Sequence, residues 1–211
     1  MALLLLAGCI PKADVGPELK PPPQVDAAAA PDPDKATRQC LAELRHNGVQ
    51  FRPLTDRYFE DGCSALGSVQ LLEIGTPVSN LGAMTCPLAR QLARWTREAV
   101  QPAARQWLGT KVVKIESMGS YACRPVNSRA GAKLSEHGSA NAVDVGAFLL
   151  EDGRRVTVLS GWNGPDEDVR NFLRAVHRGG CSRFQTGLGP DANAAHRDHM
   201  HFDMGRGPYC R

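Results

Sequence analysis

Three of the chain's six histidines fall within six consecutive positions, in the run His196-Arg197-Asp198-His199-Met200-His201-Phe202-Asp203. If 199–203 is a strand, alternation places His199, His201 and Asp203 on one face and turns Met200 and Phe202 toward a core. An apolar face then backs a face of imidazoles and a carboxylate, a donor mixture suited to a borderline-soft ion such as zinc. A structural cluster of histidines has no need of that alternation.

Earlier in the chain, Ser135-Glu136-His137-Gly138-Ser139-Ala140-Asn141-Ala142-Val143-Asp144 sets a histidine seven positions before an aspartate. The small residues between them let the backbone turn tightly, and Asp144 falls inside the apolar run Ala142-Val143-Asp144-Val145. An ionised carboxylate on a buried strand is costly unless something compensates it. A zinc ion would do so. An arginine partner or a turn capped by Asp144 would also serve, with His137 then a surface residue, and this segment alone leaves the two readings even. The histidine-rich run favours the metal. Two histidines and a carboxylate leave a position for water, which is the arrangement of a catalytic rather than a structural zinc site.

Several elements have to position these groups. A helical pattern begins near Thr37 with Leu41, Leu44 and Arg45 and stops at Asn47-Gly48. An extended region over 49–59, a turn at Asp61-Gly62 and a strand over 69–74 follow. Thr85-Cys86-Pro87 offers a cap and a first-turn proline. It starts a helix that runs to about Leu108, with Leu88, Leu92, Trp95 and Ala99 on one face and a kink or split expected at Pro102. Beyond Lys111 the pattern turns to β. Residues 112–115 form a strand, and 142–150 pairs with 154–159 as a hairpin through Glu151-Asp152-Gly153. A helix over 165–178 closes at Gly179-Gly180, and 184–188 and 199–204 form two last short strands. There is no internal repeat and no βαβ rhythm. The pattern predicts an α+β domain with a small, mostly antiparallel sheet and helices packed on one side.

With 211 residues, 42% of them hydrophobic and 22% charged, the chain is long enough for one domain with a proper core. A formal charge of +3 without blocks of like charge gives no case for nucleic acid. The apolar start ends in Leu6-Ala7-Gly8-Cys9, which resembles a bacterial lipobox that would place a lipid on Cys9. The positive stretch that opens such signals is missing, so residues 1–9 read as a partial lipoprotein signal. Residues 10–36 are rich in proline and alanine and read as an extended tether, leaving 37–211 as the folded domain. Setting Cys9 aside leaves Cys40, Cys63, Cys86, Cys123, Cys181 and Cys210, widely spaced and without a Cys-x-x-Cys pair. That points to three disulfides and an oxidising compartment. Proximity along the chain suggests Cys40 with Cys63, Cys86 with Cys123, and Cys181 with Cys210.

The pattern Ser-x-His-x6-Asp followed by His-x-His resembles the superfamily that joins D-Ala-D-Ala carboxypeptidases, murein endopeptidases and the hedgehog signalling domain. More closely, residues 135–148, the lead-in Gly119-Ser120-Tyr121-Ala122-Cys123-Arg124 and the histidine-rich run are similar to the bacterial extensin-like C-terminal family, over roughly residues 38–211. The resemblance implies zinc on His137, Asp144 and His201, and hydrolysis of amide bonds in peptidoglycan stem peptides or cross-links. Where the carboxypeptidases carry a glutamate base, this chain has Asp198. Where the murein endopeptidases place a histidine by the metal's water, it has His199, the favoured base, with Asp198 as second choice. Arg124 stands where the carboxypeptidases hold substrate, and could clamp a substrate carboxylate or stabilise an oxyanion. Ser135 and His196 are candidates for substrate contact. Lipobox, disulfides and resemblance together imply a periplasmic lipoprotein anchored to a membrane through Cys9. The shortened acid at position 198 keeps open a second reading, a zinc-stabilised envelope lipoprotein that binds wall polymer or a protein partner without cleaving it.

Overall fold

The computed structural model describes residues 34–211 apart from Glu60 and Ala130. The expected lipid site at Cys9 and the tether as far as residue 33 lie outside the described residues. No helix among the described residues is long and apolar enough to cross a membrane.

The chain begins with helix α1 (Lys35–His46), capped by Asp34, whose carboxylate accepts from the Thr37 N–H at 2.7 Å. The last two residues assigned to the tether therefore belong to a helix, because the cap is the aspartate rather than Thr37. Short strands follow: β1 (Gln50–Pro53), β2 (Arg57–Tyr58), β3 (Ser64–Ala65), β4 (Ser68–Glu73), β5 (Val78–Ser79) and β6 (Met84–Thr85). Helix α2 (Cys86–Trp95) leads through a π-turn at Thr96–Val100 into α3 (Gln101–Ala103) and a second π-turn at Ala104–Leu108. Pro102 thus neither splits nor ends the rod. Lacking an N–H, it would leave a gap in an α-helical ladder, and the ladder widens just before it, where the Gln101 N–H reaches back to the Thr96 carbonyl.

Strands β7 (Val112–Gly119), β8 (Ala142–Leu150) and β9 (Arg155–Thr157) are followed by α4 (Val158–Gly161), α5 (Glu167–Cys181), β10 (Thr186–Leu188), β11 (Met200–Asp203) and β12 (Tyr209–Cys210). The main sheet runs β12-β10-β11-β8-β7-β5 and is antiparallel except at its two outer pairs. Strand β8 is its axis. One edge pairs with β7; the other pairs first with β11, through Asp144 opposite His201 and Ala142 opposite Asp203, and then with β9.

Alternation along β8 and β11 divides the sheet into two faces. Val143, Val145, Met200 and Phe202 join the buried core beneath the helices, where Trp95 lies between Phe148 and Phe202 and Phe172 meets Phe148 edge-on. The Trp95 indole N–H donates to the Val176 carbonyl at 3.0 Å, joining the two long helices. Asp144, His201 and Asp203 face the other way. The domain is α+β with a mostly antiparallel sheet and helices on one side, as the sequence pattern requires.

Other sequence expectations also fail for physical reasons. The disulfides are Cys40–Cys86, Cys63–Cys123 and Cys181–Cys210. Only the last follows chain proximity, because closing a longer loop costs little more than closing a short one and tertiary neighbours decide. The first pins α1 to the start of α2, and the second ties the β2–β3 hairpin to the segment after β7. Helix α5 does not stop at Gly179-Gly180 but passes through both to Cys181. These glycines are close-approach positions. A methyl group on Gly179 would meet Ala99, and one on Gly180 would overlap the ring of Phe202.

That ring is wedged between Trp95 and Phe184 and cannot swing aside. Gly180→Ala should therefore lower stability by about 1–3 kcal/mol, although alanine is the better helix former. Urea unfolding of the two proteins checks this; an unchanged midpoint would show that the helix–strand contact is looser than described.

Candidate metal centre

Each histidine of interest is aimed by a local device. Ser135 caps a short 3-10 turn at Glu136–Ser139, its Oγ accepting from the His137 N–H at 3.4 Å. Gly138 lets this turn lie against the Cys63–Cys123 disulfide, since a side-chain carbon there would come within 2.9 Å of the Cys63 sulfur. Asn141 closes the turn by donating to Glu136 and accepting from Thr85, at 2.7 and 2.9 Å. Gly119, with φ of 128°, ends β7 so that the next carbonyl, of Ser120, lies 3.3 Å from His137 Nδ1.

Three buried side chains converge. His137 Nε2 lies 3.1 Å from Asp144 Oδ2 and 3.2 Å from His201 Nδ1, and His201 Nδ1 lies 2.8 Å from Asp144 Oδ1. The remaining ring nitrogens are taken by acceptors: His137 Nδ1 by the Ser120 carbonyl, and His201 Nε2 by Asp203 Oδ2 at 2.9 Å. Both of those nitrogens must therefore carry hydrogen, which leaves His137 Nε2 and His201 Nδ1 as lone pairs when the rings are neutral. Two lone pairs and a carboxylate then meet with no donor among them. Only a cation satisfies such a cluster, whether a shared proton or a metal ion.

A shared proton would sit on His201, for electrostatic reasons. Burial would raise the Asp144 carboxyl, but hydrogen bonds from His137 and His201 outweigh it and hold the group far below the usual carboxylate range. Burial disfavours the charged form of His201, yet the bonds to Asp144 and Asp203 push it up to about 9. The residues fit a zinc ion. The donor types suit it, their ligating atoms lie within 4.8 Å of one another, and each histidine has its second nitrogen fixed by an outer partner, as metal-bound histidines characteristically do. A second grouping, His177 with Cys181 and Cys210, has both sulfurs committed to a disulfide.

The cluster floors a cavity of about 540 Å³ that also takes in Arg124, Ser135, His196 and His199. His199 precedes β11, and its Nε2 lies 3.7 Å from Asp144 Oδ1. Its Nδ1 is 3.0 Å from Asp198 Oδ1. Asp198 does not line this cavity; it stands behind His199 beside a separate shallow groove with Met118 and Gly146. Its carboxyl is lowered chiefly by the His199 hydrogen bond. Arg124 reaches to 3.8 Å from Asp144 Oδ2. His196 is buried, bonds through Nδ1 to Asn193 Oδ1 at 2.9 Å, and is lowered to about 4 by burial and then by the charges of His199 and His201.

Every site residue singled out from the described part of the sequence thus falls in or directly behind one cavity. Asp203, placed by alternation but given no role, proves to hold His201. The Ser120 carbonyl and Asn193 carried no sequence signal, because their contribution depends on how two loops fold over the sheet. Tyr209, brought to the rim by β12 and the Cys181–Cys210 disulfide, was equally hidden. The family model for the extensin-like protein C-terminus matches residues 38–211. No curated protein and no solved structure matches the chain.

In metal-free protein the raised pKa of His201 is a stability term. The protonated ring contributes fully below its ordinary value of 6.5, and the contribution is lost as pH rises through about 9. Chelator-treated protein should therefore show a falling Tm across that window, and His201→Ala should remove most of the slope. A wild-type Tm that is flat with pH would contradict the shared-cation description.

Proposed function

Because the chain belongs to the extensin-like C-terminal family, we propose that it is a zinc-dependent hydrolase that cleaves amide bonds in peptidoglycan stem peptides or cross-links. The observation that carries this reading is the donor-free convergence of His137, Asp144 and His201 on the floor of an open cavity, with the uncommitted edge of His199 beside it. His137 Nε2, an Asp144 oxygen and His201 Nδ1 would hold the ion. Zinc bound there would supply Lewis acidity and bring the pKa of a water toward neutrality.

The rest of the chemistry belongs to the chain's own groups. His199 Nδ1 donates to Asp198, so Nε2 presents a lone pair to the cavity and accepts the proton of an attacking water. Asp198 fixes that tautomer and stabilises the imidazolium that results, which makes it a positioning residue rather than a rival base. His199 Nε2 then returns the proton to the leaving amine. Arg124 neutralises negative charge on the substrate, either a carboxylate or the oxygen of the cleaved amide. Ser135 Oγ is free to donate to a substrate carbonyl, and His196, held by Asn193, offers Nε2 to a substrate N–H.

Three disulfides support an oxidising compartment. With the lipobox-like Leu6-Ala7-Gly8-Cys9, they favour a periplasmic lipoprotein anchored through Cys9.

Purified protein incubated with muropeptides should cleave them, lose activity to a chelator and recover it with zinc. His199→Ala should bind zinc normally and lose about 10²- to 10⁴-fold in kcat. Asp203→Asn should weaken zinc binding by about 10- to 100-fold in a competition assay. Hydrolysis that ignores the chelator would overturn the proposal, and muropeptide binding without cleavage would establish a non-catalytic envelope protein instead.

A further inference from the structure

One wall of the cavity is a strained turn. The Arg129 N–H bonds to the Val126 carbonyl at 3.2 Å, and the two residues between them, Asn127 and Ser128, have φ of 53° and 55°. Two successive positive φ values define a type I′ turn, which accepts asparagine first but prefers glycine second. Ser128 therefore sits where a side chain carries backbone strain. The strain is maintained from below. The Ser128 N–H bonds to the Pro125 carbonyl at 3.0 Å, the Val126 N–H to the Lys133 carbonyl at 2.9 Å, and Pro125 bridges to Leu134.

What the turn presents is polar and uncommitted. Asn127 and Ser128 line the same cavity as His137, Asp144 and His201, both are exposed, and among the described residues neither side chain has a hydrogen-bond partner. Asn193, which lines the same cavity, differs, since its side-chain Oδ1 already accepts from the Ala195 N–H and from His196 Nδ1, each at 2.9 Å.

We propose that Asn127 and Ser128 are substrate-binding residues that hold the backbone of an extended peptide beside the metal centre. An amide and a hydroxyl each offer a donor and an acceptor, matching the alternating C=O and N–H groups of such a strand. The inference rests on the reading of the cavity as a peptide-cleaving site, and it adds that affinity comes from main-chain contacts on the 127–128 side.

The test compares zinc-loaded wild type with Ser128→Gly and with Asn127→Gly/Ser128→Gly, by calorimetric binding of a muropeptide and by steady-state kinetics. Glycine suits the turn, so both variants should keep or raise Tm and bind zinc as wild type does. The double variant should bind the muropeptide about tenfold more weakly, with KM raised in proportion and kcat retained. Replacing the substrate amides next to the scissile bond by esters should cost wild type affinity and cost the double variant little more. Unchanged muropeptide affinity in the double variant, or a loss confined to kcat, would overturn the inference while leaving the zinc-hydrolase reading intact. A wild type that neither binds nor cleaves muropeptides would remove that reading, and this inference with it.

Discussion

The structure turns on one electrostatic demand: two imidazole nitrogens and a carboxylate, all buried, meet with no hydrogen between them when the rings are neutral. Left to itself the sequence would not assemble such a group, because each member loses solvation on entering and gains nothing from the others until a cation arrives. Packing must hold it in place instead. Asp144 and His201 are register partners on adjacent strands, so their approach is a property of the β8–β11 ladder rather than of side-chain attraction. His137 comes from a turn locked by a serine cap, an Asn–Glu hydrogen bond and a disulfide against which only glycine fits.

The helical layer serves the same end from the opposite face. Met200 and Phe202 alternate with the site residues and are buried in the core, Phe202 between Trp95 and Phe184, which fixes the twist and height of β11. A slip of one residue would exchange the two faces, exposing the aromatic core and burying the imidazoles in it. The helices thus enforce the site's register without touching it. The loops over the site face are pinned separately by the disulfides Cys63–Cys123 and Cys181–Cys210.

The parts of this arrangement that depend on local periodicity were legible from residue order. The His-x-His-x-Asp alternation beside apolar Met200 and Phe202 placed His201 and Asp203 on the site face, and the small residues between His137 and Asp144 announced a tight turn. Fold class followed from the same periodicities. What could not be read depended on contacts between distant segments. Cys40 and Cys63 are near in sequence, but α1 packs on α2 while the β2–β3 hairpin meets the segment after β7. Gly179-Gly180 looked like a helix stop because the need for close approach to Ala99 and Phe202 is invisible without them. Motif and strand alternation together favoured His199 over Asp198 beside the metal site, and the structure has His199 lining the cavity with Asp198 behind it.

Two roles for ionisable groups are thereby separated. His137 and His201 each have their outer ring nitrogen fixed by an acceptor and turn the inner one on Asp144, while His199 and Arg124 keep atoms free toward the cavity. Such a division is what the proposed zinc-dependent hydrolysis requires. The most direct measurement is anomalous diffraction at the zinc edge from crystals of the zinc-loaded protein. The account predicts one strong peak bonded to His137 Nε2, an Asp144 oxygen and His201 Nδ1, with His199 outside the ligand set. A peak held by other atoms, or none between these three, would contradict it.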